Sequence, residues 1–406
     1  MSLVVQKYGG TSVADPERIR AVAENIERTR RRGDVVVVVS AMGKETDELI
    51  RLAESVSPGS QPGREMDMLL TAGERKATAL LVMALENMGC AAVSFTGSQA
   101  GFITDTQHRN AKILEVRPER LREAVAAGKV PVVGGAQGVS TDRDVTFLGR
   151  GGSDTTAVAL AATLGAESCE LYTDVSGVFT ADPRLVPSAR RLSCLSFDEM
   201  LEMSATGCPK PEMRSVEFAR THRVRLHVRS SFTWEPGTWV TEEDPTMEQA
   251  IITAVTHDVS EAKLTVNKVP DAPGIAARLF RALADVAVNV DMIVQNVSHS
   301  GTTDISFTVP NSDLRAAIDV ASDLATEIGA GDVTPDADIG RVSLVGAGMK
   351  THPGVAATMF ETLAHAGINI DMISTSAIRI SCVVRQDQVE EAVQALHDAF
   401  KLEANV

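Results

Sequence analysis

The sequence predicts an α/β protein: a mostly parallel sheet between helix layers, followed by two smaller ferredoxin-like βαββαβ units. Three observations carry that prediction. Short apolar runs alternate with longer helical patterns through the first half. The ends of those runs carry small turns rich in Gly, Ser and Thr. The second half repeats itself at a constant offset of 80 residues.

The strand segments of the first half are Leu3–Gln6, Val35–Ser40, Ala91–Phe95, Val130–Gly134, Glu170–Thr173 and Val224–Val228. Val35–Val39 is the longest apolar run; it is far too short for a membrane span and reads as a strand buried on both faces. One helix opens at Asp15-Pro16, a cap followed by proline at the first helical position, and aligns Ile19, Val22 and Ile26. A second covers about Arg64 to Met88, and a third starts at Ser153-Asp154 and stops before Gly165. The strands run into Gly9-Gly10-Thr11, Ser40-Ala41-Met42-Gly43, Thr96-Gly97-Ser98, Gly134-Gly135-Ala136 and Thr173-Asp174. In an open parallel sheet these carboxyl ends share one edge, where ligands bind. Such turns favour small residues in any case, but the charged residues beside them suggest a pocket for a phosphate-bearing ligand.

In the second half, Pro273-Gly274, Phe280, Leu283-Ala284, Asn289 and Asp291-Met292-Ile293 recur as Pro353-Gly354, Phe360, Leu363-Ala364, Asn369 and Asp371-Met372-Ile373. Each copy reads strand, Pro-Gly turn, helix, Asn-x-Asp turn, strand, which is half of a βαββαβ unit. The boundary with the first half falls near Glu235–Gln249, rich in Pro, Gly, Thr and acids. The division is 1–240, 241–340 and 341–406, with the strand at 250–258 assignable to the last part as well.

A chain of 406 residues fits two to three domains. Its net charge of −15 argues against nucleic acid or an anionic membrane as main partner. The five cysteines lack metal-ligand or redox spacing, as expected of reduced thiols in a cytoplasmic protein. The few apolar residues before Lys7 are too short for a signal peptide.

Four constellations carry chemistry. Lys7-Tyr8-Gly9-Gly10-Thr11-Ser12 puts a cation, two glycines and two hydroxyls at a strand-to-helix turn, which suits an anion; the lysine precedes the glycines, so this is not a P-loop. Gly149-Arg150-Gly151-Gly152-Ser153-Asp154 opens a helix with a guanidinium able to grip a carboxylate or phosphate. Asp154 either caps that helix or serves the site. Thr173-Asp174 ends a strand, and Gly177-Val178-Phe179-Thr180-Ala181-Asp182-Pro183-Arg184 follows with a second acid and an arginine. Glu74, on an otherwise apolar helix, is either a buried ion-pair partner or the receptor of a ligand ammonium. None of the eight histidines lies in these motifs, and no Ser-His-Asp or H-E-x-x-H arrangement is readable. Phosphoryl transfer to a carboxylate needs no strong base, because the acceptor is already ionised at pH 7. It needs positioning and cationic stabilisation.

These motifs, together with Ser40-Ala41-Met42-Gly43, Leu69-Leu70-Thr71-Ala72-Gly73-Glu74-Arg75, Gln295-Asn296-Val297-Ser298 and Val345-Gly346-Ala347-Gly348-Met349, resemble the aspartate kinases of the amino acid kinase superfamily, in their actinobacterial form, over nearly the whole chain. The resemblance implies an amino acid kinase fold with two ACT regulatory modules. It implies phosphorylation of L-aspartate by ATP, with Mg²⁺ carried by the nucleotide and no metal site of the protein's own. That is the first step towards lysine, threonine and methionine, under feedback by threonine or lysine. By position, Lys7, Gly9 and Gly10 would meet the phosphates. Ser40, Thr46 and Glu74 would hold aspartate, Arg150 its α-carboxylate, and Ser153 and Asp154 would shape the site, with Asp154 ordering the lysine. Thr173, Asp174, Phe179, Asp182, Arg184 and Lys210 would hold the nucleotide. Effectors would sit at Asp271, Gly274, Ala276, Gln295 and Ser298, and at Asn369, Ile370 and Ser376. Pairing of ACT modules between chains implies a homo-oligomer, and Met247 is placed to start a separate small subunit.

The chain departs from that pattern at Lys76-Ala77, at Ala136 in Gly135-Ala136-Gln137-Gly138, at Ser176 and Phe179 in the nucleotide loop, and at Gly207-Cys208-Pro209-Lys210-Pro211, where the lysine is displaced by one and flanked by prolines. The effector loop after Ser298 is also short. These changes flank the substrate pockets, so the alternatives are a paralogue with altered acceptor, nucleotide or effector preference, or a catalytically weak ACT regulator. Retention of Lys7, Glu74, Arg150 and Asp174 together speaks against the second.

Overall fold

The computed structural model describes residues 2–59, 61–242, 251–296, 301–350 and 352–404. Ser298 and Met247 lie outside the described residues. The chain divides into two units. One comprises Met1–Phe179, Arg191–Ser204 and Pro209–Met247; the other comprises Thr180–Arg190, Ala205–Cys208 and Glu248–Val406.

The first unit runs β1 (Leu3–Tyr8), α1 (Pro16–Arg30), β2 (Asp34–Val39), α2 (Glu45–Val56), α3 (Gly63–Asn87), β3 (Ala92–Phe95), β4 (Phe102–Thr104), β5 (Ile113–Val116), α4 (Glu119–Ala126), β6 (Val130–Gly134), β7 (Gln137–Ser140), β8 (Val145–Phe147), α5 (Gly152–Leu164), β9 (Ser168–Thr173), β10 (Cys194–Ser196), α6 (Phe197–Ala205), α7 (Met213–His222), β11 (Leu226–Ser230) and β12 (Thr238–Thr241). Its main sheet has the order β10-β12-β11-β9-β1-β2-β6-β3. β12 runs antiparallel to β11, and β10 runs with β12, so these two oppose the other six. β1 is central, parallel to β2 on one side and β9 on the other.

Local chemistry explains the elements. Asp15 caps α1 by accepting the Arg18 N–H at 2.9 Å. α1 and α3 bury Ile19, Val22, Ile26, Leu81 and Leu85 against Val35, Val37 and Val39 of β2. α5 is buried along Gly152–Ala161, which is why its sequence has no polar face. A small sheet, β5-β4-β7-β8, carries strands of three or four residues that are too short to show periodicity.

The second unit runs β13 (Ala254–Asp258), β14 (Glu261–Pro270), α8 (Ile275–Asp285), β15 (Ile293–Gln295), β16 (Thr302–Pro310), α9 (Leu314–Ile328), β17 (Val333–Asp336), β18 (Ile339–Val345), α10 (Val355–His365), β19 (Met372–Thr375), β20 (Arg379–Arg385) and α11 (Val389–Ala399). Two four-stranded sheets result, β15-β16-β14-β17 and β13-β18-β20-β19. The repeat is visible in the cores: Leu279 and Leu283 of α8 are buried as Met359 and Leu363 of α10 are. β13 precedes the first copy in sequence yet pairs antiparallel with β18, Ala254 opposite Val345. The linear division at 240 and 340 therefore becomes a nested one, the first copy lying between β13 and the rest of the second.

Charged side chains tie the two copies together. Arg341 on β18 is 2% exposed and binds Asp291 of the first copy, with Glu261 at 3.3 Å, Asp258 at 3.5 Å and the Ala205 carbonyl at 2.9 Å. Burial raises the Glu261 carboxyl, and Asp291 and Asp258 add to that, against the pull of Arg341. In the other direction Lys263 on β14 reaches Asp371 at 3.2 Å. Asp291 and Asp371 are equivalent positions of the repeat. Arg341→Met is expected to cost about 3 kcal/mol, because three carboxylates are left converging without their cation. Urea denaturation followed by far-UV circular dichroism measures it, and a loss below about 1 kcal/mol would contradict this role.

Candidate active site

The carboxyl ends of β9, β1, β2 and β6 form one edge, and a cleft of about 310 Å³ opens there. β1 delivers Lys7 to it. A central parallel strand is covered on both faces, so the Lys7 ammonium is buried, 4% exposed, and requires a counter-charge. Asp154, in the first turn of α5, supplies it at 2.5 Å and is itself 2% exposed. Lys210 approaches the other oxygen of Asp154 at 3.6 Å. Burial lowers the Lys7 pKa, opposed by Asp154 and assisted by the charge of Lys210. Burial pushes Asp154 upward, yet Lys7 and Lys210 together hold it below the ordinary carboxylate range. Two ammoniums on one carboxylate leave a net positive site at the amino end of a helix, the electrostatics an anion needs.

Tight backbone packing fixes that site. A Cβ at Gly10 would fall 2.8 Å from the Ala41 carbonyl and 2.9 Å from that of Gly43, so only glycine lets the β1 and β2 turns meet. The Gly43 N–H donates to the Gly10 carbonyl at 2.9 Å. Gly9 directs its own N–H to the Tyr172 carbonyl at 3.2 Å, and its bare Cα lies beside Lys7, where a Cβ would come 3.5 Å from the ammonium. Gly151 precedes α5 with φ 71°, and a Cβ there would lie 1.9 Å from Glu212 Cγ. α5 has no side-chain cap bond among the described residues. Asp154 is thus not the helix cap that one reading of the sequence expected: it is spent on the lysines.

Glu74 on α3 lies across the cleft and is 3% exposed. Burial raises its pKa to about 7, partly offset by an N–H from Ala41, and Glu45 adds to the rise. Its Oε2 has no hydrogen-bond partner among the described residues. Among the described residues Glu74 makes no ion pair. Lys76, expected to change the local charge, pairs with Glu45 at 2.6 Å.

Of the sequence candidates, Lys7, Ser40, Thr46, Glu74, Arg150, Ser153, Asp154 and Lys210 line this one cleft. Lys210 arrives despite its displacement between prolines. Ala136 also lines it, where the family pattern carries an aromatic ring. Thr173 and Asp174 end β9 on the same edge, joined by a 2.9 Å hydrogen bond, and Phe179 pairs with Arg191 nearby in sequence. Asp182 and Arg184, expected beside Asp174, belong to the other unit, where Arg184 binds Asp182 at 2.6 Å. Arg109, Asp47 and Phe147 line the cleft without having been signalled by any motif, and Glu212 stands behind Gly151 with its carboxyl raised by burial and by Asp154. In the second unit Asp271, Gly274 and Ala276 lie at the entry to α8 and Gln295 on β15. Asn369 and Ile370 precede β19 and Ser376 follows it. Among the described residues no helix is long and apolar enough to cross a membrane.

Residues 2–230 match the model of the amino acid kinase family, and residues 265–323 and 342–400 match an ACT domain. The aspartokinase of Mycolicibacterium smegmatis is 58% identical over 99% of this chain and 97% of its own length. That of Corynebacterium glutamicum is 55% identical over the same shares. Among solved structures, aspartate kinase from Synechocystis is 43% identical, with a TM-score of 0.56 over 98% of this chain and 69% of its own. Aspartokinase III of E. coli in complex with aspartate and ADP has the same fold, with a TM-score of 0.84 at 24% identity over 98% and 99%.

Proposed function

The chain is a kinase of the aspartokinase family, within the amino acid kinases, and from that premise we propose that its cleft transfers the γ-phosphoryl group of MgATP to the side-chain carboxylate of L-aspartate. The observation that carries this reading is the pair of ammoniums, Lys7 and Lys210, held on the buried Asp154 opposite the buried Glu74 carboxylate, whose Oε2 has no hydrogen-bond partner among the described residues. A carboxylate oxygen of aspartate attacks the γ-phosphorus, the bond to the β–γ bridging oxygen breaks, and ADP leaves. The attacking oxygen is already ionised and the bridging oxygen leaves as an anion on ADP, so the residues supply charge and position rather than a base. Lys7 and Lys210 neutralise the phosphoryl oxygens, with Gly9 and Gly10 allowing close approach. Glu74 receives the aspartate ammonium, Arg150 its α-carboxylate, and Ser40, Thr46 and Ser153 complete the acceptor site. Thr173, Asp174 and Phe179 hold the nucleotide at the end of β9.

The reaction opens the route to lysine, threonine and methionine, and the ACT modules bind threonine or lysine as feedback effectors at Asp271, Gly274, Ala276 and Gln295 and at Asn369, Ile370 and Ser376. Pairing of those modules between chains gives a homo-oligomer. Trapping the acyl phosphate with hydroxylamine tests the activity. Aspartate is expected to yield hydroxamate faster than other amino diacids, and threonine or lysine to suppress it. No hydroxamate with aspartate would overturn the reading; hydroxamate from another diacid alone would identify a paralogue with altered acceptor.

A further inference from the structure

Arg109 stands with φ 69°, in the left-handed region that favours glycine, and nevertheless lines the cleft with Lys7, Glu74 and Arg150. A buried acid fixes the loop that presents it. Asp67 of α3, 0% exposed, accepts the Arg109 N–H at 2.9 Å and bonds His108 Nδ1 at 2.8 Å. The loop is braced at its base as well: Asp105 accepts the Lys112 N–H at 3.0 Å and donates its own N–H to the Lys112 carbonyl at 3.0 Å. Only the backbone of Arg109 is engaged by these bonds. Its guanidinium makes no hydrogen bond or ion pair among the described residues. A fully buried carboxylate thus holds a disfavoured backbone in place, and the product is an uncommitted cation facing the cleft.

The charges of the cleft say what that cation serves. Asp154 already engages Lys7 and Lys210, and these two face the phosphates. An amino diacid brings one ammonium and two carboxylates. Glu74 matches the ammonium and Arg150 one carboxylate, which leaves the second carboxylate unmatched. We propose that Arg109 holds this second carboxylate, so that paired guanidiniums make the cleft selective for acceptors with two carboxylates. A guanidinium grips one oxygen through an N–H and leaves the other oxygen free to attack phosphorus. The inference rests on the aspartokinase reading and adds a specificity-determining residue to it.

Arg109→Gly tests it, since glycine suits φ 69° and the variant keeps the loop. Calorimetry on the full chain is expected to show aspartate affinity falling about 10- to 100-fold, with affinity for asparagine, which lacks the second carboxylate, unchanged. The KM for ATP stays within twofold of the unaltered enzyme. Unchanged aspartate affinity would overturn the proposal. So would a lower kcat at unchanged aspartate affinity, which would move Arg109 to the phosphoryl group, or an equal loss for asparagine and aspartate. Failure of the parent reading shows separately, as absence of hydroxamate from the unaltered enzyme.

Discussion

Lys7→Ala is expected to reduce hydroxamate formation from aspartate about 1000-fold while leaving threonine or lysine binding intact. The size follows from burial. The Lys7 ammonium is held by a central strand and by Asp154, so its charge is already desolvated and aimed before substrate arrives. Removal has a second effect. Asp154 keeps only Lys210, at 3.6 Å, and its remaining charge opposes the incoming phosphates. Lys7→Ala/Asp154→Asn removes that repulsion and is expected to recover part of the loss, not all of it. Because the Asp154 pKa is held below 3.8, its contribution to stability is present above about pH 3.8 and is lost only as pH falls through the folded value. Effector binding at pH 7 checks that the variant is folded. Activity of Lys7→Ala within tenfold of the unaltered enzyme would contradict the phosphate role.

Glu74→Gln is expected to raise the KM for aspartate about 100-fold and to remove most of its pH dependence. In the empty cleft Glu74 ionises at about 7 instead of 4.5 because it is buried. The shift is upward, so its contribution to folding stability is fully present below about pH 4.5 and is lost as pH rises through about 7. Ligand binding runs the other way. An aspartate ammonium favours the carboxylate, so binding expels a proton wherever free Glu74 is protonated. Aspartate affinity is therefore expected to fall nearly tenfold per pH unit below about 7, with proton release on binding visible in calorimetry in buffers of different ionisation heat. A pH profile preserved in Glu74→Gln would assign the ammonium to another group.

Local patterns made the parts of the site legible, whereas the pairing of Asp154 with Lys7 was expected from the family resemblance alone. Strand ends and glycine turns announced the edge where the cleft lies, because both follow from local backbone chemistry. That Asp154 answers Lys7 depends on α5 crossing the sheet, which no local pattern encodes. Asp182 and Arg184 sit only a few residues beyond Asp174, yet the chain passes from one unit to the other at Thr180, a boundary that no local pattern marks. Lys210, apparently displaced, reaches Asp154 because a long flexible side chain absorbs a one-residue shift. Arg109 gave no signal, since its loop has no periodicity and its left-handed φ is invisible in an arginine codon. β13 was ambiguous for the same reason: its partner β18 lies about 85 positions away, and strand pairing at that range is decided by the assembled core.

The crossed ion pairs, Asp291 with Arg341 and Lys263 with Asp371, limit how this half of the chain can be rebuilt. A cut at the repeat boundary would strand charges on both pieces and would also separate β13 from its sheet. Any rebuilding of this half therefore has to keep the two copies together, along with the segments Thr180–Arg190 and Ala205–Cys208 that belong to the same unit. The duplicated copies are likewise bound to each other's history: a change of charge at 291 or 371 in one copy is felt first in the strand of its twin.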